Sequence, residues 1–172
     1  MHLRPAEDRD LPALLSIHNH AVRELTAAWT TIEDTLDDRR LWLEGRRADG
    51  LPVLVAVDEA DQVLGYGTYG AFRARPGYRL TAEHSVYVAT QAQGRGIGKT
   101  LMLALIDRAR AEGYHVLVGA VDSSNEASLA LHASLGFDVS CRLPQVGHKF
   151  GRWLDLVLAS LVLDDREVPP AA

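Results

Sequence analysis

An α/β fold is what this chain of 172 residues predicts, and three features carry that expectation. Glu83 to Val88 reads as a strand, the glycine-rich run Gln93 to Thr100 as a turn, and Leu101 to Ala109 as a helix. The continuous apolar run Val116 to Val121 follows. Strand, helix and strand then make a βαβ unit whose strands should lie parallel. Helical and strand-like stretches also alternate on both sides of this unit.

The elements can be justified in order. Leu3-Arg4-Pro5-Ala6 suits an opening edge strand, where proline is tolerated. Asp8 and Asp10 offer N-caps, Pro12 suits a first helical turn, and Leu11, Leu14, Leu15, His18, Ala21 and Val22 recur at helical spacing. Thr26 to Thr31 breaks that period and reads as a loop. Within it Trp29 is either a core plug or a pocket wall. A second helix runs from about Thr35 to Ala48 and is closed by Gly50. Val53 to Val57 is a buried strand, and Val63 to Gly70 is the next, with alternate glycines that suit a close backbone approach.

Phe72 to Arg79 is a turn-rich loop holding three arginines, read either as a solvated surface or as a carboxylate-binding fork. In the strand after it, Val86 and Val88 point one way, Ser85 and Tyr87 the other. Ile97, Leu101, Leu105 and Ala109 give the central helix an apolar stripe that ends at Gly113. Ser123-Ser124-Asn125-Glu126 has the spacing of a capping box for a further helix that stops at Gly136. Phe137 to Cys141 alternates as a strand, Gln145 to Trp153 reads as an aromatic and basic loop, and Leu154 to Leu161 is the final strand. Residues 1–163 are expected to form a single domain, with a frayed tail over 164–172.

Apolar residues make up 47% and charged residues 24%, ordinary values for a globular protein. The net charge of −5 disfavours a nucleic-acid partner. No stretch approaches the length of a membrane span, and the start lacks a signal-peptide core. The single cysteine, Cys141, excludes an internal disulfide and fits a cytoplasmic location. His18 and His20 are two apart and cannot share a helix face, and no HExxH pattern occurs, so no metal is expected.

The chemistry centres on Gln93 to Thr100. Three glycines at alternate positions bare the backbone just before a helix, and free amides at a helix start favour an anion such as a phosphate. A Walker A loop fails because Gln93 stands where its first glycine is needed. The dinucleotide fingerprint fails at Lys99 or Leu101. Gln93, Gly96 and Gly98 instead match the Gln/Arg-x-x-Gly-x-Gly/Ala pattern, which resembles the pyrophosphate loop of the GNAT N-acetyltransferases.

The resemblance extends over nearly the whole chain. It is narrowest in Thr81 to Val88, Leu131-His132, Leu135-Gly136-Phe137 and Pro144 to Leu156, which are similar to phosphinothricin and methionine sulfoximine/methionine sulfone N-acetyltransferases. It implies a GNAT fold: a mixed, mostly antiparallel sheet with a splayed parallel strand pair and helices on both faces. It also implies acetyl-CoA as donor, the α-amine of a small amino-acid analogue as acceptor, and a homodimer.

Carried over residue by residue, the resemblance places cofactor contacts on Val86, Tyr87, Val88, Gly94, Arg95, Gly96, Ile97, Gly98, Lys99 and Asn125. Substrate contacts fall on Arg73, Ala74, Arg75, Tyr78, Glu83, His84 and Ser85, with Trp29 as a further wall candidate. Glu83 takes the position of the family's catalytic glutamate; from its residues alone it reads as a strand-end surface charge. His132 stands where many superfamily members carry a tyrosine, and reads either as acid or auxiliary base or as a satisfied helix histidine. Two other readings stay open at this level: acetylation of peptide N-termini, and a non-catalytic CoA-binding sensor.

Overall fold

A computed structural model of the chain describes residues 1–170; of the tail expected to fray, Ala171 and Ala172 lie outside the described residues. Seven strands form one sheet: β1 (His2–Pro5), β2 (Val53–Val57), β3 (Val63–Ala71), β4 (Thr81–Val88), β5 (Val116–Asp122), β6 (Asp138–Lys149) and β7 (Arg152–Val162). Their spatial order is β1-β2-β3-β4-β5-β7-β6. Only β4 and β5 run parallel; the other five pairings are antiparallel. The helices are α1 (Leu11–Glu24), α2 (Leu36–Ala48), α3 (Ile97–Ala111) and α4 (Glu126–Ser134).

Helices α1 and α2 cover one face of the sheet and α3 and α4 the other. Trp42 of α2 packs edge-on to Tyr66 of β3, and Tyr87 of β4 stacks on Tyr66 at 5.2 Å. Odd-numbered residues of β4 therefore face α1 and α2. On the opposite face Leu105 packs among Tyr69, Leu117 and Phe137. The expected stripe of α3 is in place, with Ile97, Leu101, Leu105 and Ala109 all buried. Removing such side chains from water stabilises the fold by roughly 1.5–3 kcal/mol each for the larger ones. Helix ends follow the glycines: Gly50, Gly113 and Gly136 all adopt positive φ.

Three expectations need correction. The segment Gln145 to Trp153 is mostly strand, because β6 continues to Lys149 and only Phe150-Gly151 turns. Register shifts between Val139 and Cys141 and between Leu143 and Gly147 break the alternation that would have revealed it. The capping box at Ser123 does not form. Asn125 caps α4 by accepting from the Ser128 N–H, and the Ser123 N–H goes to the Asp155 carbonyl. Asp10 precedes α1, but its side chain does not cap that helix; it is taken by Arg4 in a bidentate pair and accepts from the Glu7 N–H at the start of the 3-10 turn Asp8–Asp10.

Candidate active site

The parallel pairing of β4 with β5 is short. It runs from Thr81↔Val116 to His84↔Gly119 and stops. Beyond it β4 stays paired with β3 as far as Gly65↔Val88, and β5 with β7 as far as Asp122↔Leu156. The two inner strands therefore splay apart. The Phe72 N–H bonds to the Thr81 carbonyl and the Ala89 N–H to the Leu64 carbonyl, so odd-numbered residues of β4 spend their backbone groups on β3. Val86 and Val88 are left with N–H and C=O groups aimed into the gap.

The gap opens into a cleft of about 1050 Å³. Among the residues singled out from the sequence, His84, Ser85, Val86, Tyr87, Val88, Gly94, Gly96, Ile97, Gly98, Lys99, Asn125 and His132 line it. The glycine loop reaches α3 through positive φ at Gly94 (73°) and Gly96 (78°). A Cβ at either glycine would meet nothing within 4 Å, so this face of the loop is open. Gly96 is the N-cap of α3 and no side chain caps the helix. The first amides of α3 thus lack intrahelical acceptors and lie at the positive end of its dipole.

His84 and His132 form a buried pair, with Nε2 atoms 3.1 Å apart and rings stacked at 5.0 Å. His132 Nδ1 lies 2.7 Å from the Ser128 carbonyl. A carbonyl only accepts, so this nitrogen carries the proton and the neutral ring offers Nε2 as acceptor to the His84 Nε2–H. Burial lowers the pKa of His132. Burial, and then the neighbouring His132, pull His84 down to about 3. Both rings are neutral near pH 7. Gly119 makes room for them, since a Cβ there would overlap both imidazoles.

Glu83 faces the α1–α2 side, opposite Gly70 of β3, and does not line the cleft itself. It is half-buried. Burial raises its pKa and the Arg73 charge opposes that rise. The arginine loop lies outside the cleft: Arg73, Ala74, Arg75 and Tyr78 are exposed, and the Arg73 guanidinium rests 5.1 Å from the Phe72 ring centroid. Arg95 is exposed and is not in the lining. Trp29 is not in the lining either. It is 37% exposed, and its Nε1–H donates to the Thr26 carbonyl at 2.8 Å.

Sequence reasoning missed a whole wall. His20 and Glu24 of α1, Leu25, Thr26 and Ala27 after it, Phe150 of the β6–β7 turn and Arg152 at the start of β7 all line the cleft. No local signal marks the α1 residues, because a helix's apolar stripe says nothing about which of its edges borders a gap; Phe150 and Arg152 fall within the Pro144 to Leu156 motif, but nothing in it shows that it borders the cleft. Asp122, buried at the end of β5, accepts from the Ser124 hydroxyl at 2.7 Å and faces Arg152 at 3.8 Å. Among the described residues no cluster of three or more metal-ligating side chains occurs, and no helix is long and apolar enough to cross a membrane.

Comparison with known proteins gives a consistent picture. A model of the acetyltransferase (GNAT) family matches residues 14–137. The L-methionine sulfoximine/L-methionine sulfone acetyltransferase of Pseudomonas paraeruginosa is 49% identical over 168 residues, 98% of each chain. A crystal structure of ribosomal-protein-alanine N-acetyltransferase from Brucella melitensis superposes with a TM-score of 0.93 at 49% identity, covering 95% of this chain and 100% of that one. A phosphinothricin acetyltransferase from Sinorhizobium meliloti, solved in complex with acetyl-CoA, gives a TM-score of 0.95 at 32% identity, covering 99% and 92%.

Proposed function

Because the chain belongs to the acetyltransferase (GNAT) family, we propose that it acetylates the α-amine of a small L-amino-acid analogue: L-methionine sulfoximine, L-methionine sulfone, phosphinothricin or a close relative. It is an acetyl-CoA-dependent N-acetyltransferase. The observation that carries the acceptor reading is the 49% identity over 98% of both chains to an enzyme named for methionine sulfoximine and sulfone. The 40% identity to a phosphinothricin N-acetyltransferase of Streptomyces coelicolor widens the panel.

The chain's own groups fit such a donor. The open amides of Gly94 to Lys99 at the start of α3 suit a diphosphate, Arg95 and Lys99 add positive charge nearby, and Asn125 stands farther along the cleft. Bound acetyl-CoA supplies an activated acetyl thioester. The Val88 N–H, aimed into the splay, polarises the acyl oxygen. Glu83 takes the proton that the acceptor's ammonium must lose, directly or through water. The His84–His132 pair stays neutral, with the Nδ1–H of His132 committed to Ser128 and its Nε2 to His84. In this arrangement His132 holds no spare proton, and its loss should cost less than the loss of Glu83. Arg73 and Arg75 draw the acceptor's carboxylate.

The protein is further proposed to work as a cytoplasmic homodimer. Val139, Val146 and Trp153 expose apolar surface on the outer strand β6 and its partner β7. Light scattering should read twice the mass of one chain, and a monomer would remove this part of the proposal.

A thiol-release assay with acetyl-CoA tests the acceptor. Turnover is expected with methionine sulfone, methionine sulfoximine or phosphinothricin. The Brucella relative's name favours a second reading. A peptide with N-terminal alanine therefore belongs in the same assay, and turnover of that peptide alone would replace the first reading.

A further inference from the structure

Lys149 is 2% exposed, yet among the described residues its ammonium faces no carboxylate. It donates instead to three main-chain carbonyls: Leu25 at 2.6 Å, Ala28 at 2.5 Å and Ala21 at 3.3 Å. These are the last turn of α1 and the segment that follows it. A cation there offsets the negative end of the α1 dipole and gives a donor to the carbonyls of this helix end, of which Ala21 also accepts from the Leu25 N–H. Burying a lysine without a counter-charge is costly, so its three acceptors must be held in place.

A second contact joins the same two elements. Gly147 of β6 lies against the ring of Trp29, and a Cβ on Gly147 would overlap that ring. Trp29 in turn bonds the Thr26 carbonyl. Leu25 to Trp29 is thus fastened to β6 at two points, two residues apart along the strand. Leu25, Thr26 and Ala27 line the cleft together with Glu24, Phe150 and Arg152. This wall carries both signs of charge, as a zwitterionic acceptor requires, whereas the anion-binding amides lie in the glycine loop.

We propose that Lys149 and the Trp29–Gly147 contact are positioning elements that hold the Leu25–Trp29 segment as the acceptor-side wall of the cleft. The inference rests on the acetyltransferase reading of the cleft. Neither group touches substrate. Each acts through the backbone it fixes, and a misplacement of about 1 Å in such a wall costs up to about a hundredfold in rate.

The test uses Lys149→Met and Gly147→Ala in the full chain, alone and combined. Each single variant should raise the acceptor KM on the order of ten- to hundredfold. Acetyl-CoA affinity by calorimetry should stay within about twofold, because the glycine loop is untouched. The double variant should be little worse than the poorer single one, because both release one segment. Hydrogen exchange should quicken over residues 25–29. If the carbonyls that lose their donor make Lys149→Met unable to fold, Gly147→Ala alone decides. An unchanged acceptor KM, an equal loss of acetyl-CoA affinity, or additive effects in the double variant would each overturn the inference. Failure of the wild-type protein to turn over any acceptor would count against the proposed function instead, and unchanged exchange over 25–29 would still overturn the two anchors.

Discussion

Replacing Glu83 by glutamine is expected to lower kcat by roughly 10²–10⁴-fold, the usual worth of a positioned general base. The α-amine of an amino acid is mostly protonated at neutral pH and cannot attack a thioester until it loses that proton. Glutamine keeps the shape and hydrogen-bonding reach of Glu83 but cannot take up the proton. The sign of the pH effect follows from the environment. Burial raises the pKa of Glu83, with Arg73 pulling the other way, so the base form is populated only above a pKa higher than that of an ordinary glutamate. Activity of the wild-type protein should therefore fall as pH drops through that value. The Glu83→Gln variant should lose this acidic limb along with its rate. Acetyl-CoA affinity should hold within about twofold, since Glu83 is not among the residues that line the cleft with the glycine loop. Steady-state kinetics across pH, with direct binding as control, checks this; a variant of near wild-type rate would end the case for Glu83.

The second large effect belongs to the start of α3. Gly98→Asp should weaken acetyl-CoA on the order of a hundredfold or more while leaving the protein folded. Gly98 is the second residue of α3, where a carboxylate is favourable to the helix because it complements the dipole. A Cβ at this position makes only ordinary contacts, 3.5 Å from Leu131 and 3.8 Å from Val88. The same carboxylate would repel a diphosphate. At about 5 Å and an effective dielectric near 20, each pair of unit charges costs roughly 3 kcal/mol, or about two powers of ten. Calorimetric titration with acetyl-CoA and with free CoA measures the loss, and a thermal melt checks the fold. Retained affinity for both ligands would mean that the anion binds elsewhere.

Much of this arrangement was legible in the sequence where the signal is local. The glycine loop, the stripe Ile97-Leu101-Leu105-Ala109 and the stops at Gly50, Gly113 and Gly136 depend on neighbours within a turn or two, and each is where periodicity puts it. The parallel pairing of β4 and β5 follows from the strand–helix–strand order alone. Other features depend on partners far along the chain. The end of pairing at His84↔Gly119 is set by where each strand keeps its outer neighbour, not by a residue in either strand. His84 and His132 meet across 48 positions, and Lys149 meets α1 across more than 120. In β6 the period itself is broken by bulges, so the strand looked like a loop. The motif from Pro144 to Leu156 was conspicuous, but only the fold shows that its lysine points inward to the carbonyls of another element.

The splay of β4 and β5 should seat an acetyl thioester between the glycine-loop amides and Glu83. A crystal structure with acetyl-CoA and an unreactive acceptor analogue tests it most directly. The acyl oxygen should lie about 2.7–3.1 Å from the Val88 nitrogen, the diphosphate against the amides of Gly94 to Lys99, and the analogue's nitrogen position within direct or one-water reach of the Glu83 carboxylate. A diphosphate bound away from that loop, or an acyl group facing away from Glu83 with no water between them, would contradict it.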